Sequence, residues 1–118
     1  MPDLTIYEVK HCSTCRNLAA LLAERGVEYD GVEYHETGLD EATIRDLLAK
    51  AGLGPRDVLR TREPLAAQLG LLDEGAATDD ELIAAMAKHP KLMQRPIVVR
   101  GDRALLARPI ERALELLD

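Results

Sequence analysis

The sequence predicts a mixed α/β fold: a parallel βαβ unit, then a block of helices, then an antiparallel hairpin closed by a final helix. Three observations predict it. Short runs rich in β-formers near the two ends of the chain, residues 4–7 and 97–99, read as strands. Leu-rich stripes at i, i+3, i+4 spacing occupy the segments between them. Glycine or proline stands at nearly every junction between the two patterns.

Leu4-Thr5-Ile6-Tyr7 is the first strand, and the polar run from Lys10 to Thr14 is a loop. A helix follows over about residues 15–25, with Leu18, Leu21 and Leu22 as its apolar stripe and Gly26 as its stop. Val27, Tyr29, Val32 and Tyr34 alternate with acidic residues, which makes residues 29–34 a second strand whose period Gly31 breaks. Asp40 is an N-cap for a helix to residue 51 that buries Ile44, Leu47 and Leu48. Gly54, Pro55 and Pro64 divide residues 53–70 into two short helical pieces. Thr78-Asp79-Asp80-Glu81 matches a capping box ahead of Leu82, Ile83 and Met86, and Pro90 forbids continuation past His89. Ile97-Val98-Val99 is a buried strand, Gly101-Asp102 turns it into a second strand at residues 104–107, and Pro109 opens a last helix with Ile110, Ala113, Leu114 and Leu117 on one face. Without the central helices this order is βαβ…ββα, that of a thioredoxin-like fold with a helical insertion between its second and third strands.

The 118 residues suit a single domain over 1–118. A net charge of −6 argues against nucleic acid and anionic membranes as partners. No Phe, no Trp and three Tyr leave almost no platform for stacking bases. No signal peptide or membrane span is evident, so the expected location is the cytoplasm, where a cysteine pair is more often catalytic or metal-binding than structural.

That pair, Cys12 and Cys15, sits where the first strand hands over to the first helix. A helix N-terminus carries partial positive charge and unpaired N–H groups, and both favour a thiolate. A lowering of about two units from about 8.5 would raise the thiolate fraction at pH 7 from roughly 3% to about 75%. The same N–H groups can cradle a tetrahedral anion, and Arg16 adds positive charge. A buried structural thiol pair is the plain alternative. Zinc is another, but His11, His35 and His89 show no paired ligand spacing and no metal is expected. Arg60, Arg95 and Arg108 each stand beside or close to a proline. Separately each reads as a solvated surface residue; converging, they would form an anion pocket, since the guanidinium fork matches oxyanion geometry.

These segments resemble the ArsC-type arsenate reductase family. The resemblance rests on Ile6-Tyr7 with Cys12-Ser13-Thr14-Cys15-Arg16-Asn17, on Arg60 with Glu63-Pro64 and Gln68-Leu69-Gly70-Leu71, on His89-Pro90 with Arg95-Pro96-Ile97-Val98-Val99, and on Arg108-Pro109, in register over most of the chain. It implies that Cys12 attacks arsenate to form an arseno-cysteine, that Arg60, Arg95 and Arg108 bind the oxyanion, and that Arg95-Pro96 corresponds to the fold's cis-proline. It implies glutathione as co-substrate, glutaredoxin as partner and no bound cofactor. The chemistry is consistent with this: guanidinium groups offset the repulsion between a thiolate and arsenate, and a covalent intermediate divides the reduction into two thiol steps.

Several positions depart from the family pattern. Glu8 replaces a frequent His, and a carboxylate close to Cys12 would disfavour the thiolate. Lys10 and Ser13 replace the more usual Pro and Gly. Cys15 replaces the usual Ser and can act as a resolving thiol, giving a Cys12–Cys15 disulfide that thioredoxin would reduce. Two alternatives stay open: a related thiol–disulfide oxidoreductase without arsenate activity, and a Spx-like redox regulator that binds RNA polymerase. The latter does not need the three arginines together. A monomer is the expected state.

Overall fold

Alternation in the first strand sends Leu4 and Ile6 to one face, where both are almost fully buried. That strand, β1 (Leu4–Glu8), is central in a four-stranded sheet of order β2-β1-β3-β4. β2 (Asp30–Glu33) pairs with it in parallel, Ile6 opposite Gly31 and Glu8 opposite Glu33. β3 (Ile97–Arg100) pairs with it antiparallel, Ile6 opposite Val98, and β4 (Arg103–Leu106) completes a hairpin across Gly101. Gly101 has φ +62°, a conformation that only glycine adopts at little cost. The helix between β1 and β2, α1 (Ser13–Glu24), buries Cys15, Leu18 and Leu22. Leu18 and Leu22 join Leu4, Ile6, Val98, Leu105, Ala113 and Leu116 in one core cluster. Each such Leu contributes about 1.5–3 kcal/mol through burial.

This is the thioredoxin-like arrangement expected from the element order. The computed structural model describes residues 3–73, 75 and 77–117. The chain forms two compact units: one joins residues up to Thr37 with those from Arg95 onward, and the other is Gly38–Gln94.

The second unit is helical. α3 (Glu41–Ala51) is capped by the Asp40 carboxylate, which accepts from the Thr43 N–H at 2.8 Å. α4 (Pro64–Gln68) follows a 3₁₀ turn at Pro55–Val58. α5 (Asp79–Lys88) carries the expected capping box: the Glu81 N–H donates to the Thr78 hydroxyl at 3.2 Å and the Thr78 N–H to the Glu81 carboxylate at 3.0 Å.

Three details differ from expectation. The closing segment Ile110–Leu116 is 3₁₀ rather than α, and Pro109 stands at its N-cap rather than inside its first turn. A single helical turn, α2 (Tyr34–Thr37), follows β2 directly and ends that strand before Tyr34. A 3₁₀ turn occupies Pro90–Leu92. Segments this short carry too few residues for periodicity to register. The Arg95–Pro96 bond is cis, as the resemblance implied, and so is Arg108–Pro109.

Candidate active site

The strand-to-helix junction is tightened by one backbone bond, from the Cys12 N–H to the Val9 carbonyl at 3.0 Å. Cys12 then takes the N-cap position of α1 in an extended conformation, and its carbonyl accepts the Arg16 N–H at 3.0 Å. The loop is also held from the side: both oxygens of the Glu33 carboxylate accept from the Lys10 N–H, at 3.1 and 2.9 Å. Cys12 and Cys15 are both buried, and both are free thiols.

The two sulfurs are driven in opposite directions. Burial works against ionisation of Cys12. The Cys15 backbone N–H, the Arg95 guanidinium and the Cys15 thiol outweigh it and bring the Cys12 thiol down to about 7. Roughly half of it is therefore thiolate at pH 7. Burial likewise raises Cys15, and because its proton is shared with the Cys12 sulfur it is pushed up to about 12. One thiol of the pair is a poised nucleophile and the other a proton donor to it.

Arg95 comes from the residue before cis-Pro96, at the entry to β3. Burial disfavours its charge, yet the Cys12 and Cys15 sulfurs and Tyr34 hold it even more firmly protonated than a free arginine. Its Nε and Nη1 are buried with no hydrogen-bond partner. Two guanidinium nitrogens beside a nucleophilic sulfur thus have unsatisfied N–H groups, a costly arrangement unless something accepts from them. Arg108 joins Arg95 here, its Nε donating to the Arg95 carbonyl at 2.8 Å. Cys12, Cys15, Arg95 and Arg108 therefore all belong to the sheet unit.

Arg60 belongs to the helical unit. Its Nη1 donates to the Glu63 carboxylate at 3.3 Å and lies 3.5 Å from the Lys91 carbonyl. The other Glu63 oxygen stands 3.7 Å from Lys91 Nζ. The Glu63-Pro64 pair that follows Arg60 in sequence thus includes its ion-pair partner.

Glu8 does not act as its chemistry suggested. The groups acting on the Cys12 sulfur are Cys15 and Arg95, and the thiol is lowered despite the acidic residue nearby in sequence. The Glu8 carboxyl accepts from the Tyr29 hydroxyl at 3.3 Å. Sequence reasoning passed over Tyr29; its place in the alternation of residues 27–34 marked it only as a strand residue.

Comparison with known proteins places this architecture. The ArsC family model matches residues 7–116. The Escherichia coli K12 protein YfgD, described as uncharacterized, is 43% identical over 98% of this chain and 97% of its own length. A Neisseria meningitidis protein named arsenate reductase is 37% identical over 94% and 95%. The solved structure of the arsenate reductase from Vibrio cholerae superimposes with a TM-score of 0.90 at 38% identity, covering 96% of each chain. The chain belongs to the ArsC family.

Proposed function

We propose that this ArsC-family protein reduces arsenate to arsenite with Cys12 as nucleophile. The observation that carries the reading is the pair of buried, unpartnered Arg95 nitrogens, Nε and Nη1, beside a thiol lowered to about 7. A tetrahedral oxyanion satisfies both features at once: it accepts from the guanidinium and presents an electrophilic centre to the thiolate. Relatives named arsenate reductase, 37% identical over most of both chains, support the same reading.

In the first step the Cys12 thiolate attacks arsenic, an S–As bond forms, and one arsenate oxygen leaves as water after protonation. Arg95 offsets the charge that develops, and Arg108, bonded to the Arg95 carbonyl, positions it. The N–H groups of the first turn of α1 add to the same field. Arg60 joins the oxyanion ligands on the strength of the family motif rather than of geometry.

In the second step the Cys15 thiolate attacks the Cys12 sulfur. The S–As bond breaks, its electron pair stays with arsenic as arsenite, and a Cys12–Cys15 disulfide forms. A dithiol protein of the thioredoxin or glutaredoxin type, or two molecules of glutathione, returns the pair to thiols. The contact between the Cys15 thiol and the Cys12 sulfur favours this intramolecular route. No cofactor and no metal enter the scheme, and the reducing cytoplasm supplies the donors.

The test couples arsenate to NADPH oxidation through the thioredoxin system and, separately, through glutathione and glutaredoxin. Arsenate-dependent oxidation is expected with at least one, and Cys12→Ser abolishes it. Its absence with both would overturn the reading in favour of a thiol–disulfide oxidoreductase without arsenate activity or a redox regulator. Loss of thioredoxin-coupled turnover in Cys15→Ser marks Cys15 as the resolving thiol.

A further inference from the structure

Two inward-facing rows meet between β1 and α1. On the strand the row is Leu4, Ile6, Glu8; on the helix, read backwards, it is Leu22, Leu18, Cys15. The apolar members of both rows share one core cluster. The last members are polar, and Glu8 and Cys15 line a common cavity of about 180 Å³ together with Tyr29, Lys10 and Arg16. A carboxylate at the end of an inward row is costly unless it is hydrogen-bonded or paired, and here the Tyr29 hydroxyl donates to it. The fold makes room for it: a Cβ at Gly31, on the neighbouring strand, would collide with the Glu8 carboxylate.

From this geometry we propose that Glu8, held by the Tyr29 hydroxyl, is the proton acceptor for Cys15 when Cys15 resolves the intermediate on Cys12. The proposal rests on the resolving role given to Cys15 above. The groups facing Glu8 fit it. Tyr29 donates to one carboxyl oxygen. Glu33, opposite on β2, is occupied by the Lys10 N–H. Lys10 and Arg16 also line the cavity, and the Lys10 ammonium stands 4.0 Å from the Glu36 carboxylate. Burial, with Glu33 adding to it, raises the Glu8 carboxyl above its ordinary value and makes it a better base, against the lowering by Tyr29. The Cys15 thiol, pushed up to about 12, needs such a base to react near neutral pH. The cavity is large enough for water to bridge the two groups. In the step, Cys15 Sγ–H loses its proton to the Glu8 carboxylate, Cys15 Sγ bonds to Cys12 Sγ, and the group on Cys12 leaves with the bonding pair. Glu8 then releases the proton to solvent.

The experiment reads disulfide closure without arsenate. In the full-length protein Cys12 is converted to its mixed disulfide with thionitrobenzoate, and release of the chromophore on attack by Cys15 is followed against pH. Glu8→Gln is expected to slow closure by roughly tenfold to a hundredfold and to remove the rise in rate that tracks carboxyl ionisation, while Glu8→Asp restores part of both. Tyr29→Phe, which keeps the ring, is expected to move the midpoint of that rise upward. Closure in Glu8→Gln with the wild-type rate and pH profile would overturn the proposal. Failure of closure in the wild type would instead refute the resolving role of Cys15, and failure of arsenate turnover with normal closure would refute only the substrate.

Discussion

The sheet unit and the helical unit each hold one of the arginines proposed to bind the oxyanion, and they hold it in opposite ways. Arg95 in the sheet unit stands beside the Cys12 sulfur with Nε and Nη1 buried and unpartnered. Arg60 in the helical unit is bonded to Glu63, which also faces Lys91. A guanidinium with unsatisfied donors gains most when an anion arrives, whereas one already paired exchanges one acceptor for another. Two residues of the same type, equally prominent in the sequence, are therefore expected to differ in how much binding and catalysis depend on them.

Replacing Arg95 with Ala tests that contrast most severely. Arsenate turnover is expected to fall about 10²- to 10³-fold, as on loss of an oxyanion donor. The Cys12 thiol should also move up from about 7, because a cation favouring the thiolate is gone. Iodoacetamide alkylation of Cys12 against pH measures this directly; an unshifted midpoint would show that Arg95 does not act on the sulfur. Arg60→Ala should cost about tenfold in turnover and leave the Cys12 midpoint in place. Equal losses for the two would break the comparison.

Arg108→Ala should cost less again, a few-fold, mostly in KM for arsenate, since its described contact is to the Arg95 carbonyl. The smallest effect belongs to the scaffold of the helical unit. Thr78→Ala removes the α5 cap and should lower stability by about 1 kcal/mol in urea unfolding, with Cys12 alkylation unchanged.

The pH dependence has a definite sign. A thiol lowered in the folded state contributes stability that is present above its unfolded value and is lost as pH falls through about 7. Cys15, raised to about 12, contributes below its unfolded value and loses that contribution as pH rises toward 12. Alkylation near pH 7 should accordingly modify Cys12 and spare Cys15.

Much of this was legible in the chain. The Leu18 and Leu22 stripe, the Asp40 and Thr78 caps and the β-branched run at 97–99 are local patterns, and each formed the element it predicted. The closing segment is 3₁₀ where the sequence predicts α, because its apolar positions suit either helix and hydrogen-bond spacing does not show in composition. Cys12 at the strand-to-helix junction was also legible. The expected lowering of about two units has the size the folded protein shows, from an ordinary 9.0 to about 7, with the cost of burying the sulfur offset by the backbone N–H joined by Arg95 and the Cys15 thiol.

The amino-acid sequence by itself determined the element order, the place of the thiol pair and the three arginines beside or close to prolines, because propensity and periodicity act over a few residues. Tertiary structure alone decided which sulfur ionises, that Glu8 turns to Tyr29, and that Arg95 is left with open donors while Arg60 is paired. Those outcomes depend on burial and charge contacts between residues far apart in the chain, such as Cys12 and Arg95, which no local pattern encodes.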